Sequence, residues 1–221
     1  FNNFLNVFDP KTRKYIVEMR SAGELRREYG LFEYSVCDFA LQDEQGVYWM
    51  SMPNGQLMRY DAARNDERIL HSQRSQDQPK DATVFPLLLG RNGTLWYGGE
   101  QALWRLDRRT LSMTPFPWPI TMVNDPYPFT AALHEGPDGI MWAGTMKGLL
   151  RLDPVTGAWK HYQNEANDPR SLAVNIIFSI APDPQDPINV LWLGMNGGGL
   201  NRFDARTGDV TRFTTADGLP N

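Results

Sequence analysis

The chain has 221 residues, 41% of them hydrophobic, with seven Trp, eight Tyr and eleven Phe; this is ample material for a packed core and excludes a disordered chain. A net charge of −4, with Lys and Arg dispersed, lacks the basic footprint of a nucleic-acid binder, so no nucleic acid is expected as a partner. The longest apolar run, Val84 to Leu89, is strand-sized and far short of the roughly 18 residues of a membrane span, and the single cysteine, Cys37, excludes an internal disulfide.

Taken in chain order, Phe1 to Pro10 has no basic start, apolar stretch or cleavage site, so the chain is expected to begin inside a folded unit. Residues 1–20 carry Asn6-Val7-Phe8-Asp9 and predict two strands, half of a repeat unit. Ala22 to Tyr29 predicts a short helix. A repeat then takes over, in the form Gly46-Val47-Tyr48-Trp49, Gly93-Thr94-Leu95-Trp96, Gly139-Ile140-Met141-Trp142 and Asn189-Val190-Leu191-Trp192. The tryptophans are spaced 47, 46 and 50 residues apart, and nine to twelve residues after each comes Arg59-Tyr60-Asp61, Arg105-Leu106-Asp107, Arg151-Leu152-Asp153 or Arg202-Phe203-Asp204. A threonine follows most of these aspartates by three residues (Thr12, Thr110, Thr156, Thr207), with Arg64 in that place after Asp61.

These positions have physical reasons. Residues i and i+2 of a strand share a face, so Trp96 and Gly98, Trp142 and Gly144, and Trp192 and Gly194 set a very large group beside a very small one, which lets neighbouring sheets interdigitate. The aspartate falls where a strand must reverse, and its carboxylate can accept N–H bonds two residues on. Each unit reads as four strands. In one they are Thr130 to His134, Ile140 to Gly144, Gly148 to Leu152 and Ala158 to Tyr162; in the next, Asn175 to Ile180, Val190 to Gly194, Leu200 to Phe203 and Val210 to Phe213. Four short antiparallel strands at a period near 47 make a propeller blade.

The predicted fold is therefore all-β: a β-propeller of four-stranded antiparallel blades. About four and a half blades are present in one partial domain over 1–221, as a half blade at 1–20 and blades at about 31–72, 82–117, 128–163 and 173–215. The ring is open as written, and the open edges are expected to be covered by the remaining blades, a second chain or a homodimeric copy.

One stretch is more specific. Pro169-Arg170-Ser171-Leu172, Asn175 to Ile180, Leu191-Trp192-Leu193-Gly194, Gly197-Gly198-Gly199-Leu200-Asn201-Arg202-Phe203-Asp204, Thr207-Gly208 and Asp217-Gly218-Leu219-Pro220-Asn221 resemble the two-component regulator propeller repeat. The resemblance covers nearly the whole chain, with the Trp49 unit divergent at Ser51 to Pro53. It implies a seven-bladed ring in the periplasm, on the extracytoplasmic side of an inner-membrane protein. It also implies an output histidine kinase or diguanylate cyclase elsewhere in the protein, and oligosaccharides as ligands.

In propellers the second-to-third-strand loops and the blade-to-blade connections share the face where ligands sit. The first set holds Asn54, Glu100, Lys147 and Asn196; from the second, Arg170 is a further basic candidate, and Trp118 and Tyr127 are the aromatic platforms. For each, a solvated loop residue is the competing reading. Trp49, Trp96, Trp142 and Trp192 are read as packing and Asp61, Asp107, Asp153 and Asp204 as turn formers, because a catalytic residue need occur only once.

No nucleophile motif, phosphate loop or metal-ligand spacing is present, so no cofactor, no metal and no catalysis are expected of this segment. Asp183 to Asp186 reads as a turn in preference to a calcium loop, and Gly197-Gly198-Gly199 as a tight hairpin. The function expected is a ligand-binding sensor propeller for an oligosaccharide or similar small molecule. The alternatives are a propeller-scaffold lyase or glycosidase and a protein-interaction scaffold.

Overall fold

The computed structural model describes residues 6–9, 14–18, 39–51, 56–72, 86–99, 102–119 and 130–220. The helix expected at Ala22 to Tyr29 lies outside them. The chain divides between Leu87 and Leu88 into two units.

In the first unit, β1 (Asn6–Asp9) and β2 (Lys14–Glu18) form an antiparallel pair. The strands β3 (Phe39–Gln42), β4 (Val47–Ser51), β5 (Gln56–Asp61) and β6 (Asp66–Ser72) form a four-stranded meander in chain order. The second unit carries three more such meanders. These are β7 (Leu87–Leu89, whose first residue lies at the division) to β10 (Met113–Pro117), through β8 (Thr94–Gly98) and β9 (Ala102–Asp107); β11 (Thr130–Glu135), β12 (Met141–Thr145), β13 (Gly148–Asp153) and β14 (Ala158–Tyr162); and β15 (Ile177–Pro182), β16 (Val190–Met195), β17 (Leu200–Asp204) and β18 (Val210–Phe213). The all-β architecture of four-stranded antiparallel sheets read from the repeat is thus observed. β15 starts two residues later than expected; Asn175, just before it, accepts the Asn164 N–H with Oδ1 at 2.6 Å.

Burial explains the repeat. Trp49, Trp96 and Trp142 are only 1%, 2% and 2% exposed, which places them in the core rather than at a binding surface. Within the second unit, the Trp faces of the first two sheets are each covered by the next sheet, whereas Trp192 on the last sheet is half-buried. Trp96 packs with Met141 and Leu152, and Trp142 with Ile177, Leu191 and Phe203. The Trp142 and Phe203 rings meet edge-on at 5.5 Å, and Phe203 meets Tyr162 at 4.8 Å. A β-carbon on Gly144 would come within 2.7 Å of Ile177 Cγ2, so the small residue beside the large one is required by the neighbouring sheet. The repeated arginine lies directly across the strand from the tryptophan, as Arg105 does from Trp96 and Arg151 from Trp142. Both guanidinium groups sit 6.0 Å from the indole centroid, within cation–π range.

The repeated aspartates close the β-turns that follow them. Asp107 Oδ1 accepts the N–H groups of Arg109 and Thr110, and Asp153 Oδ1 those of Val155 and Thr156. Asp204 Oδ1 accepts Arg206 N–H, and the Arg206 guanidinium donates to Asp204 Oδ2 at 2.6 Å. Asp61 departs as the sequence does: Arg64, in the threonine's place, donates both its backbone N–H and its guanidinium to the carboxylate. These donors hold all four carboxyl groups below the usual carboxylate range. Asp204 is drawn down to about 2, first by the Arg206 side chain.

A lowered folded-state pKa contributes stability that is fully present above the unfolded value near 4 and is lost as pH falls through the folded one. Denaturant midpoints are therefore expected to fall as pH drops from about 5 to 2. The Asp204→Asn variant, which keeps the turn acceptor without the charge, should show a shallower acid slope. An equally steep slope would contradict the assignment.

Gly148 (φ +120) and Gly199 (φ +67) open β13 and β17 in left-handed conformations, and a β-carbon on either would run into the carbonyl of Tyr162 or Phe213 on the outer strand. Gly157 (φ +74) has open space around its missing β-carbon. In urea denaturation, Gly157→Ala should cost about 1 kcal/mol, the backbone penalty alone. Gly199→Ala should cost clearly more, about 2 to 4 kcal/mol; equal losses would show that the steric term is absent.

Candidate functional site

The registers place the β12–β13 turn, the β16–β17 turn and the connection from β14 to β15 at one end of their sheets. Thr145 pairs with Gly148 at the first turn, Gly194 with Leu200 at the second, and β14 finishes beside the first turn, Tyr162 opposite Leu149. Lys147 and Asn196 occupy these two turns, on neighbouring sheets.

A continuous chain of bonds joins them. The Lys147 carbonyl accepts from Gln163 Nε2 (3.2 Å) and is bonded to His161 Nε2 (2.7 Å), and Lys147 N–H donates to Thr145 Oγ1. Asn164 follows Gln163 and donates its N–H to Asn175 Oδ1. Next to Asn175, the Ile176 carbonyl accepts Asn196 N–H at 3.0 Å. Lys147, Gln163, Asn164, Asn175 and Asn196 thus form one polar rim. The structure brings together two residues that the sequence assigned to different loops, and adds three amides that it did not single out.

The connection beneath the rim is rigid for a physical reason. Asn201, fully buried on β17, accepts Ala173 N–H with Oδ1 and donates to the Gly198 carbonyl with Nδ2, so one side chain ties the connection to the β16–β17 turn. Asn164 Nδ2 donates to the carbonyls of Leu172 and Ala173, and Arg212 donates to those of Asp168, Ser171 and Leu172. A β-carbon on Gly198 would press within 2.8 Å of Val174, so turn and connection are in close contact. Many polar groups of this loop serve the loop itself.

The other expected site residues are placed as follows. Arg170 lies toward the opposite end of the last sheet. Its carbonyl accepts Val210 N–H, Val210 pairs with Phe203 rather than with Leu200 at the rim end, and its guanidinium is 3.6 Å from Asp209 and 3.8 Å from Asp168. Trp118 donates its indole N–H to the Gly99 carbonyl at 2.8 Å and packs its ring 5.4 Å from Trp159, between two sheets. Asn54, Glu100 and Tyr127 lie outside the described residues.

Two bonds to the repeated tryptophans are not legible in the sequence. Asp43 and Asp183, at the turns between first and second strands, accept the indole N–H of Trp49 and Trp192, each at 2.9 Å. Asp183 also accepts Gln185 and Asp186 N–H groups, and these bonds, Gln185 first, lower its pKa. Asp183 to Asp186 is accordingly a turn built around one carboxylate. His134, whose pKa is lowered by burial first and by Arg91 second, belongs to a cross-strand row with Trp142, Arg151 and Lys160. It is part of sheet packing.

Meandering four-stranded sheets stacked through their tryptophan faces, with connecting turns gathered at one end, define a β-propeller. Solved structures agree on this class. The extracellular domain of BT4673 from B. thetaiotaomicron, described as a hybrid two-component system in one structure and a one-component system in another, matches with a TM-score of 0.69 and 19% identity over 96% of this chain and 25% of that one. The extracellular domain of the B. thetaiotaomicron hybrid two-component system BT3049 matches at 0.58 and 19%, over 79% and 24% of the two chains. Virginiamycin B lyase from Staphylococcus aureus matches at 0.56 and 16%, over 79% and 54%. The chain spans about a quarter of the length of these two extracellular domains, 25% and 24%. No family model and no curated protein sequence matches it. Among the described residues no helix is long and apolar enough to cross a membrane.

Replacing Asn201 by Ala leaves the Ala173 N–H and the Gly198 carbonyl without their partner, at about 1 to 3 kcal/mol for each buried group stranded. The expected outcome is a loss of about 2 to 4 kcal/mol in denaturation, together with faster amide hydrogen exchange across residues 164–176. Unchanged exchange there would show that the connection is held by other means.

Proposed function

We propose that this chain is the ligand-binding part of an extracytoplasmic sensor propeller of a bacterial two-component signalling protein, and that its rim takes an oligosaccharide or a similar small polyhydroxylated molecule. The observation that carries the reading is the linking of the turns that hold Lys147 and Asn196, on two neighbouring sheets: the Lys147 carbonyl accepts from Gln163 Nε2, the Asn164 N–H donates to Asn175 Oδ1, and the Asn196 N–H donates to the Ile176 carbonyl. Amides supply both donors and acceptors to hydroxyl groups, and a single lysine adds affinity for acidic substituents. The sequence resemblance to the two-component regulator propeller repeat and the shared fold with the BT4673 and BT3049 extracellular domains support the same reading. Signalling then follows if the ligand binds one arrangement of the sensor better than another.

A propeller-scaffold enzyme is the second reading, favoured by the shared fold of virginiamycin B lyase. It requires a catalytic acid or base at the rim, where the His161 imidazole, bonded to the Lys147 carbonyl, is the group to test.

The test is a thermal-shift and calorimetric screen of the full chain against neutral and acidic oligosaccharides. A sugar at about 100 times its Kd stabilises the folded state by about 2.7 kcal/mol. The Lys147→Ala/Asn196→Ala double variant should keep its melting temperature while losing about tenfold or more in affinity. Turnover of a sugar by the wild-type chain, or binding untouched by the double variant, defeats the sensor reading at this site.

A further inference from the structure

The turn between first and second strands is capped from within in three of the four-stranded sheets. Asp43 Oδ1 accepts Gln45 and Val47 N–H, Asp138 Oδ1 accepts Ile140 N–H, and Asp183 Oδ1 accepts Gln185 and Asp186 N–H. The β7–β8 turn has Gly90 where the first sheet has Asp43, six residues before the tryptophan. Its acceptor comes from the next sheet. Glu135, the last residue of β11, accepts Arg91 N–H with Oε2 at 2.8 Å, and the Arg91 guanidinium donates to the Pro137 carbonyl at 2.6 Å.

This turn has no room for an acid of its own. A β-carbon on Gly90 would run into Thr94 Oγ1 and lie 2.8 Å from both Trp96 Cδ1 and Glu135 Oε2. The Glu135 oxygen therefore stands in for the missing aspartate, beside the edge of the indole. In the β3–β6 and β15–β18 sheets the aspartate does a second thing: its other oxygen, Asp43 Oδ2 or Asp183 Oδ2, takes the indole N–H. That half is unfilled here. Trp96 is 2% exposed, its Nε1 is buried without a partner, and Glu135 Oε1 accepts no bond from the described residues. A buried donor left unpaired next to a carboxylate with a spare oxygen is a costly arrangement.

We infer that Glu135 is a two-position clasp between the β7–β10 and β11–β14 sheets. Its carboxylate holds Arg91 N–H in the present arrangement and takes the Trp96 indole N–H in a second, giving the spacing of these sheets two discrete settings. Where the acid belongs to its own turn, sheet spacing leaves the cap untouched. Here donor and acceptor lie on different sheets, so a shift of one against the other must exchange the bond. Trp96 packs on Met141 and Leu152 across the same interface, and close-packed contacts of this kind switch between arrangements more readily than they stretch. Glu135 pairs with Met141, at the end of β11 away from the Lys147 turn, so the clasp is separate from the rim and does not depend on a ligand there.

The experiment is nitrogen–proton NMR of the full chain, whose seven tryptophans give one indole resonance each; Trp96→Phe identifies the one concerned. Relaxation dispersion reads exchange on the μs–ms scale. It is expected at the Trp96 indole in the wild-type chain. Glu135→Ala should abolish it and speed hydrogen exchange of that N–H by about tenfold or more. Glu135→Gln keeps the size and one acceptor oxygen but weakens both bonds, so dispersion should persist with a changed amplitude, and this variant carries the test if Glu135→Ala fails to fold.

A flat profile in the wild-type chain overturns the two positions. So does dispersion that is the same in wild type and in whichever Glu135 variants fold, because the motion then belongs to another group.

Discussion

The packing of one sheet's tryptophan face against the next sheet is the constraint on which everything else in the second unit depends. A strand buried on both sides must present complementary shapes to two neighbours, so β12 is buried at every position: Met141 meets the sheet before it, and Trp142 and Gly144 the sheet after it. The large side chain fills the gap and the missing one admits Ile177. Around this contact the polar parts of the repeat fall into place, with arginine stacked on the indole and aspartate closing the turn beyond it. In two sheets a further carboxylate, Asp43 or Asp183, takes the indole N–H. A buried indole nitrogen without such a partner is costly. That accounts for an acidic residue in the first turn of those sheets.

This explains what the sequence could show. The tryptophans, glycines and aspartates recur because each sheet solves the same packing and turn problem, and repeated chemistry is visible without coordinates. The Arg64 departure was visible as well, although not its outcome: a guanidinium reaching Asp61 replaces the contact a threonine makes after Asp153. The bonds from Asp43 and Asp183 to tryptophan were hidden because they cross from a turn to a strand six or nine residues on, at a different spacing in each sheet. Trp118 looked like a binding aromatic because it lies at the end of a strand, where exposed and packed rings have the same local sequence.

The rim was only partly legible for a related reason. Lys147 and Asn196 could be picked out by their loops, but their union depends on Asn164, Asn175 and the buried Asn201, whose neighbours are up to 28 residues away. An asparagine in a loop is by default a solvated residue. Only its partners reveal that it is a fastener. Arg170 lies in the same connection but toward the other end of the sheet, because its carbonyl is bonded to Val210 of β18.

The fastening of the connection bears on how a sensor of this build would work. Its backbone is saturated by Asn164, Asn201, Ser171 and Arg212, so ligand binding need not order a loop and little entropy is lost there. The adjustable element is instead the spacing of two sheets, since Lys147 belongs to one and Asn196 to the next. That spacing is set by Gly144 against Ile177 and by Phe203 between Trp142 and Tyr162, a close-packed contact that resists gradual deformation. On the ligand-binding reading proposed above, a ligand held by both turns would act on the same interface that holds the fold together. On that reading, ligand occupancy and sheet packing would be coupled, as a binding module requires if it is to report to a distant output domain.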